Sequence, residues 1–207
     1  MSDLDDPRCE VLVLGIGNLL WADEGFGVRC VEQLAAQWQV PEGVTVMDGG
    51  TQGLYLLPYV QGARRLIVFD AIDYGLPAGT MKRVEGDEVP RFMGAKKMSL
   101  HQTGFQEVIA AADLTGQLPQ ELLLIGVQPE ELEDYGGSLR EVVKARLPDA
   151  VATAVAALRD WGFAVEPKVG TGGTAISGDA LDMTAYEAGR PSAEAASRIG
   201  DDRFMAA

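Results

Sequence analysis

Four short apolar runs, each closed by glycine or aspartate or followed by a break, limit what this chain can fold into. They are Glu10-Val-Leu-Val-Leu-Gly15, Val44-Thr-Val-Met47 ahead of Asp48-Gly49-Gly50, Arg65-Leu-Ile-Val-Phe-Asp70 and Glu121-Leu-Leu-Leu-Ile-Gly-Val127. A strand with one wet face alternates apolar and polar residues, whereas a strand covered on both faces is apolar almost throughout. The segments between the runs have helical character. From about Gly25 to Trp38 the residues Gly27, Val31, Leu34, Ala35 and Trp38 recur at helical spacing, and Asp23 is a candidate N-cap. Leu54 to Val60 reads as a short helix. Ser99-Leu-His-Gln102 matches the S-x-x-Q capping box, which puts His101 in the first turn of a helix running to about Asp113. Ser138 to Trp161 is helical, with Pro148 acceptable as a break or as the first residue of a second helix. Gly79-Thr-Met-Lys-Arg-Val84 is less apolar and reads as a strand at a sheet edge. This β-α-β order predicts an α/β fold of three layers, α/β/α, around a mostly parallel, twisted, five-stranded sheet.

A chain of 207 residues, 47% of them hydrophobic, suits one such domain. The pattern places it at residues 1–166, leaving 167–207 as a poorly structured tail, because the Ala/Ser/Asp-rich stretch beyond Gly170 has no periodicity. A net charge of −14 argues against nucleic acid and anionic membranes as partners, since both select clustered Lys and Arg. No apolar stretch approaches the roughly 18–20 residues that cross a bilayer. The acidic start, Met1-Ser2-Asp3-Leu4-Asp5-Asp6, is unlike the basic opening of a secretory signal, so the expectation is a cytoplasmic protein. Cys9 and Cys30 are too few for a disulfide framework or a thiolate zinc site and are expected to be buried small hydrophobes.

In a parallel sheet the strand ends share one rim, the carboxyl edge, where open α/β folds bind ligands. Glu24 follows the first strand, Asp48 ends the second and Asp70 the third, so their loops are placed to converge there. His101 is the single histidine, and its expected place at a helix N-terminus disfavours imidazolium and leaves the neutral ring that ligates metals. Two oxygen donors and one nitrogen donor with open positions suit zinc, nickel, cobalt or iron. Gly15-Ile16-Gly17 after a strand, with Asp48 ending the next, also keeps a nicotinamide dehydrogenase open, although Leu20 stands where a dinucleotide fingerprint needs its third glycine. No G-x-S-x-G elbow is present.

Five blocks in order, Val13-Leu-Gly-Ile-Gly-Asn-Leu-Leu-Trp-Ala-Asp-Glu-Gly-Phe-Gly-Val28, Asp48-Gly-Gly-Thr-Gln-Gly53, Phe69-Asp-Ala-Ile-Asp-Tyr-Gly75, Lys97-Met-Ser-Leu-His-Gln102 and Gly126-Val-Gln-Pro129, resemble the hydrogenase maturation protease family over about residues 10–162. The resemblance implies an endopeptidase, conventionally grouped with aspartic-type peptidases, and the chain is expected to act as a monomer. It would remove the C-terminal extension of the nickel-iron hydrogenase large-subunit precursor after nickel insertion. Carried over block by block, the metal ligands and catalytic residues are Glu24, Asp70 and His101, with Asp48, Gly49, Gly50 and Thr51 shaping the cleft. Nickel is expected to arrive with the precursor, and the site to inspect it. Hydrolysis is either metal-assisted, with the carbonyl polarised and water acidified, or driven by Glu24 and Asp70 as an acid–base pair. A non-catalytic nickel chaperone or docking module for the same precursor would carry the same ligands.

Overall fold

The computed structural model describes residues 7–94, 100–168 and 183–189, without the side chains of 92–104. Each apolar run is a strand: β1 (Cys9–Ile16), β3 (Val44–Gly50), β4 (Ala63–Ala71) and β6 (Glu121–Val127). The less apolar run is β5 (Met81–Glu85), and a two-residue strand, β2 (Trp38–Gln39), precedes β3. The five long strands form one sheet in the order β3-β1-β4-β6-β5. All neighbours are parallel except β5, which runs antiparallel to β6 at the edge. The central strands are buried on both faces because helices cover both, which is why their sequences do not alternate.

Odd-numbered positions of β1, β4 and β6 (Val11, Val13, Ile67, Phe69, Leu123, Ile125) face one layer. That layer contains α1 (Phe26–Gln37) and α6 (Leu147–Asp160), which supplies Ala150, Val151, Ala154 and Val155. Even-numbered positions (Leu12, Leu14, Leu66, Val68, Leu122, Leu124) face a second cluster. There α2 (Leu57–Gly62) contributes Val60, α3 (Glu88–Gly94) contributes Val89, and α4 (Leu100–Leu114) contributes Phe105, Val108, Ile109 and Ala112. A short helix, α5 (Glu141–Lys144), leads into α6, and Pro148 sits in the first turn of α6, where its missing N–H costs nothing.

Beyond Glu166, the first residues return to the domain. The strand β7 (Glu166–Pro167) pairs antiparallel with β2, and the Lys168 N–H donates to the Gln37 carbonyl at 2.7 Å. Within the segment expected as a tail, Met183–Gly189 is a helix, α7. Met183 packs against the α1/α6 core, and Glu187 accepts hydrogen bonds from Ser138 Oγ (2.8 Å) and Lys144 Nζ (2.8 and 2.9 Å). The Arg29 guanidinium lies 6.0 Å from the centre of the Tyr186 ring. Apart from that of Met183 these contacts are polar, and those of Glu187 join residues 43 and 49 positions apart, so no apolar stripe in the sequence announces them. The remainder of 169–207 lies outside the described residues.

Candidate active site

Glu24 and Asp70 meet at the carboxyl edge because the backbone is allowed unusually close approaches there. Glu24 sits in a 3-10 turn, Ala22–Gly25, that passes over the end of β1. A side chain on Gly17 (φ 133) would stand 1.7 Å from the Glu24 carbonyl oxygen, so only glycine lets the turn lie down on the strand. At Gly27 a Cβ would come within 2.3 Å of the carbonyl oxygens of both Ile16 and Phe69. The first turn of α1 is thereby pressed onto the ends of β1 and β4, next to Asp70. Ala22 holds a left-handed backbone (φ 37), a strained conformation for a residue with a Cβ, in the same turn.

The two carboxylates are removed from water, with Asp70 1% and Glu24 5% exposed. Among the described residues, neither Asp70 oxygen, nor Glu24 Oε2, has a hydrogen-bond donor of good geometry. Burial pushes the Asp70 carboxyl well above its ordinary range; the nearby Ala71 N–H opposes the shift and the Glu24 charge adds to it. Two carboxyl groups held dry side by side are costly unless something completes their environment, so the pair has the chemistry of a ligand-binding centre.

His101 occupies the first turn of α4, as the capping box predicts; Ser99 and the His101 side chain lie outside the described residues. Further along the same helix, Phe105, Val108 and Ile109 pack in the second core cluster. Asp70 is an even-numbered position of β4 and belongs to the same side of the sheet. Among the described residues, no three His, Cys, Asp or Glu side chains converge as a metal cluster.

The end of β3 lies beside the end of β1. Asp48 is opposite Gly15 in the β1/β3 pairing, and the register slips at the next step so that Ile16 faces Gly50. Asp48 Oδ1 accepts the Gly50 N–H at 2.8 Å, the Gly50 backbone is left-handed (φ 45), and Gly17 N–H donates to the Gly50 carbonyl at 3.0 Å. Burial raises the Asp48 carboxyl, against the Gly50 hydrogen bond. Asp48, Gly49 and Gly50 thus build the turn beside β1, and Thr51 is exposed beyond it.

Two residues important to the rim were not read as such from sequence. Asp23 does not cap α1, whose N-cap is Gly25 with no side-chain hydrogen bond. Instead Asp23, 0% exposed, accepts three backbone hydrogen bonds from the loop after β6. Its Oδ2 takes the N–H groups of Glu130 (2.8 Å) and Glu131 (2.9 Å), and its Oδ1 takes that of Arg140 (2.7 Å). Those donors lie 107 to 117 residues away in sequence, so the residues around Asp23 give no sign of them. Gln128, also buried, clamps the loop after β4. Its Oε1 accepts the N–H groups of Tyr74 (2.6 Å) and Leu76 (3.1 Å), and its Nε2 donates to Asp73 Oδ1 (3.0 Å). Its place just past a buried strand, before proline, was the available signal.

Comparison with known proteins identifies the family. The family model for hydrogenase maturation protease matches residues 28–157. The chain is 58% identical over 197 residues to the hydrogenase expression/formation protein HoxM of Cupriavidus necator, covering 94% of this chain and 98% of that one. It is 41% identical over 159 residues to the hydrogenase 2 maturation protease of Escherichia coli, covering 76% of this chain and 96% of the other. Its fold matches the solved hydrogenase maturating endopeptidase HybD of E. coli with a TM-score of 0.72 and 39% identity, over 77% of this chain and 98% of that structure. Identity at this level over nearly whole relatives leaves no room for a dinucleotide-dependent enzyme, and the chain belongs to the hydrogenase maturation protease family.

Proposed function

We propose that this protein is the endopeptidase that removes the C-terminal extension of a nickel-iron hydrogenase large-subunit precursor once nickel has been inserted, with Glu24, Asp70 and His101 as its working centre. The observation that carries the proposal is Asp70, buried beside Glu24, with its carboxyl pushed up by that burial and by the Glu24 charge. Two carboxylates sharing a dry site cannot both ionise easily, so one holds a proton while the other is charged. The charged member takes a proton from the attacking water, whose oxygen bonds to the scissile carbonyl carbon. The protonated member gives its proton to the departing amide nitrogen, and the C–N bond breaks to leave a carboxyl and an amine. Nickel belongs to the substrate in this reading, and two carboxylates with an imidazole form a donor set suited to a borderline divalent ion. The same reading places the enzyme in the cytoplasm as a monomer.

Incubating purified protein with nickel-loaded and with nickel-free precursor, and measuring precursor mass, tests the reading. The expected result is a mass loss only in the nickel-loaded sample. Unchanged mass in both samples, with a stable complex in the first, would leave a docking or chaperone module instead.

A further inference from the structure

Asp70, Gly126 and Lys82 form one row across β4, β6 and β5, since Gly126 is the register partner of Asp70 on one side and of Lys82 on the other. Residues paired in this way project from the same face of the sheet, with strands roughly 4.8 Å apart. A Cβ on Gly126 would lie 1.7 Å from the Tyr74 hydroxyl oxygen and 2.9 Å from its ring carbon Cζ. The phenol oxygen therefore occupies the space that a side chain at 126 would fill, directly beside the Asp70 side chain. Three further contacts hold it there. The Tyr74 N–H is bonded to the buried Gln128 amide at 2.6 Å, the ring packs in the second core cluster, and Lys82 Nζ stands 5.4 Å from the ring centre. Burial, with the Asp70 charge second, keeps the phenol protonated far above neutral pH. Tyr74 is thus an O–H donor held one strand away from the buried Asp70 carboxylate.

Resting on the function proposed above, we propose that Tyr74 is a positioning residue, whose hydroxyl donates a hydrogen bond to the Asp70 carboxylate when precursor binds and so fixes which oxygen faces the substrate. The small residue at 126 is part of the device, because any larger one evicts the hydroxyl. The loss of one hydrogen bond to a charged acceptor corresponds to a rate decrease of about 10–100-fold.

The test uses the whole protein and nickel-loaded precursor. Tyr74→Phe keeps the ring and should lower kcat by about 10–100-fold while KM stays within about two-fold and the melting temperature is little changed. Gly126→Ala, which displaces the hydroxyl while retaining the tyrosine, should show the same kcat loss when circular dichroism confirms folding. Wild-type kcat in Tyr74→Phe, or a loss confined to KM, would overturn the assignment. Failure of the wild-type protein itself to cut would sink the proposed function, a result distinct from failure of this inference.

Discussion

Asp23→Asn is expected to weaken the protein substantially, although the substitution is nearly isosteric. The carboxylate serves three N–H groups with two oxygens, Oδ2 for Glu130 and Glu131 and Oδ1 for Arg140. If the amide oxygen keeps the Oδ2 position, the NH2 group faces the Arg140 N–H, donor against donor. That bond, worth about 1.5–3 kcal/mol to a charged acceptor, is lost, and an enclosed N–H is left without a partner. The two remaining bonds drop from charged to neutral strength, for a total of about 2–4 kcal/mol. Single domains are stable by only about 5–15 kcal/mol, so the fraction lost is large. In urea, with a slope near 2 kcal/mol per molar, the midpoint followed by circular dichroism should fall by about 1–2 M. A shift under about 0.3 M would show that the loop after β6 does not depend on Asp23.

Other expectations concern the thiols and the tail. Cys30 is fully buried and its thiol is pushed well up by desolvation, so it is no nucleophile; Cys30→Ser should cost about 1–2 kcal/mol in thermal melts while cleavage per folded molecule is retained. Cys9, half-buried with a raised thiol pKa, should likewise be replaceable by serine without loss of cleavage. Lys144 and Ser138 hold the Glu187 carboxyl below its ordinary value, which stabilises the α7 contact above about pH 4.5 and is lost as pH falls through the lowered value. The pair is largely solvated, so Glu187→Gln should cost no more than about 1 kcal/mol by urea titration at pH 7, with the difference vanishing in acid.

The sheet was legible because burial on both faces writes itself into a strand as an unbroken apolar run, as in Leu66 to Phe69 and Leu122 to Ile125. Edge strand β5 was legible for the opposite reason, its exposed Lys82 and Arg83. Pairing partners of polar side chains were not. Asp23 before a helix looks like a cap, and only the folded chain brings Glu130, Glu131 and Arg140 to it. Helix α7 escaped detection because Glu187 is bound by Lys144 and Ser138, contacts that leave no periodicity. The carboxylates Glu24 and Asp70 were readable as rim residues from strand order, and the glycines at 17 and 27 explain why the rim brings them together.

The most direct test of the central claim compares Asp70→Asn with wild type for stability and for cleavage. The folded-state pKa of Asp70 lies above its value in the unfolded chain, so the native state binds this proton more tightly. Stability is therefore lost as pH rises from the unfolded value, about 3.9, through the raised one, so that at neutral pH the burial of this carboxyl weighs against folding. Asparagine removes that cost. In chelator at pH 7, Asp70→Asn should melt higher than wild type, and the difference should shrink below about pH 4. Offered nickel-loaded precursor, the same variant should leave its mass unchanged while wild type shortens it. Cleavage by Asp70→Asn at the wild-type rate would contradict the account, whatever its melting temperature.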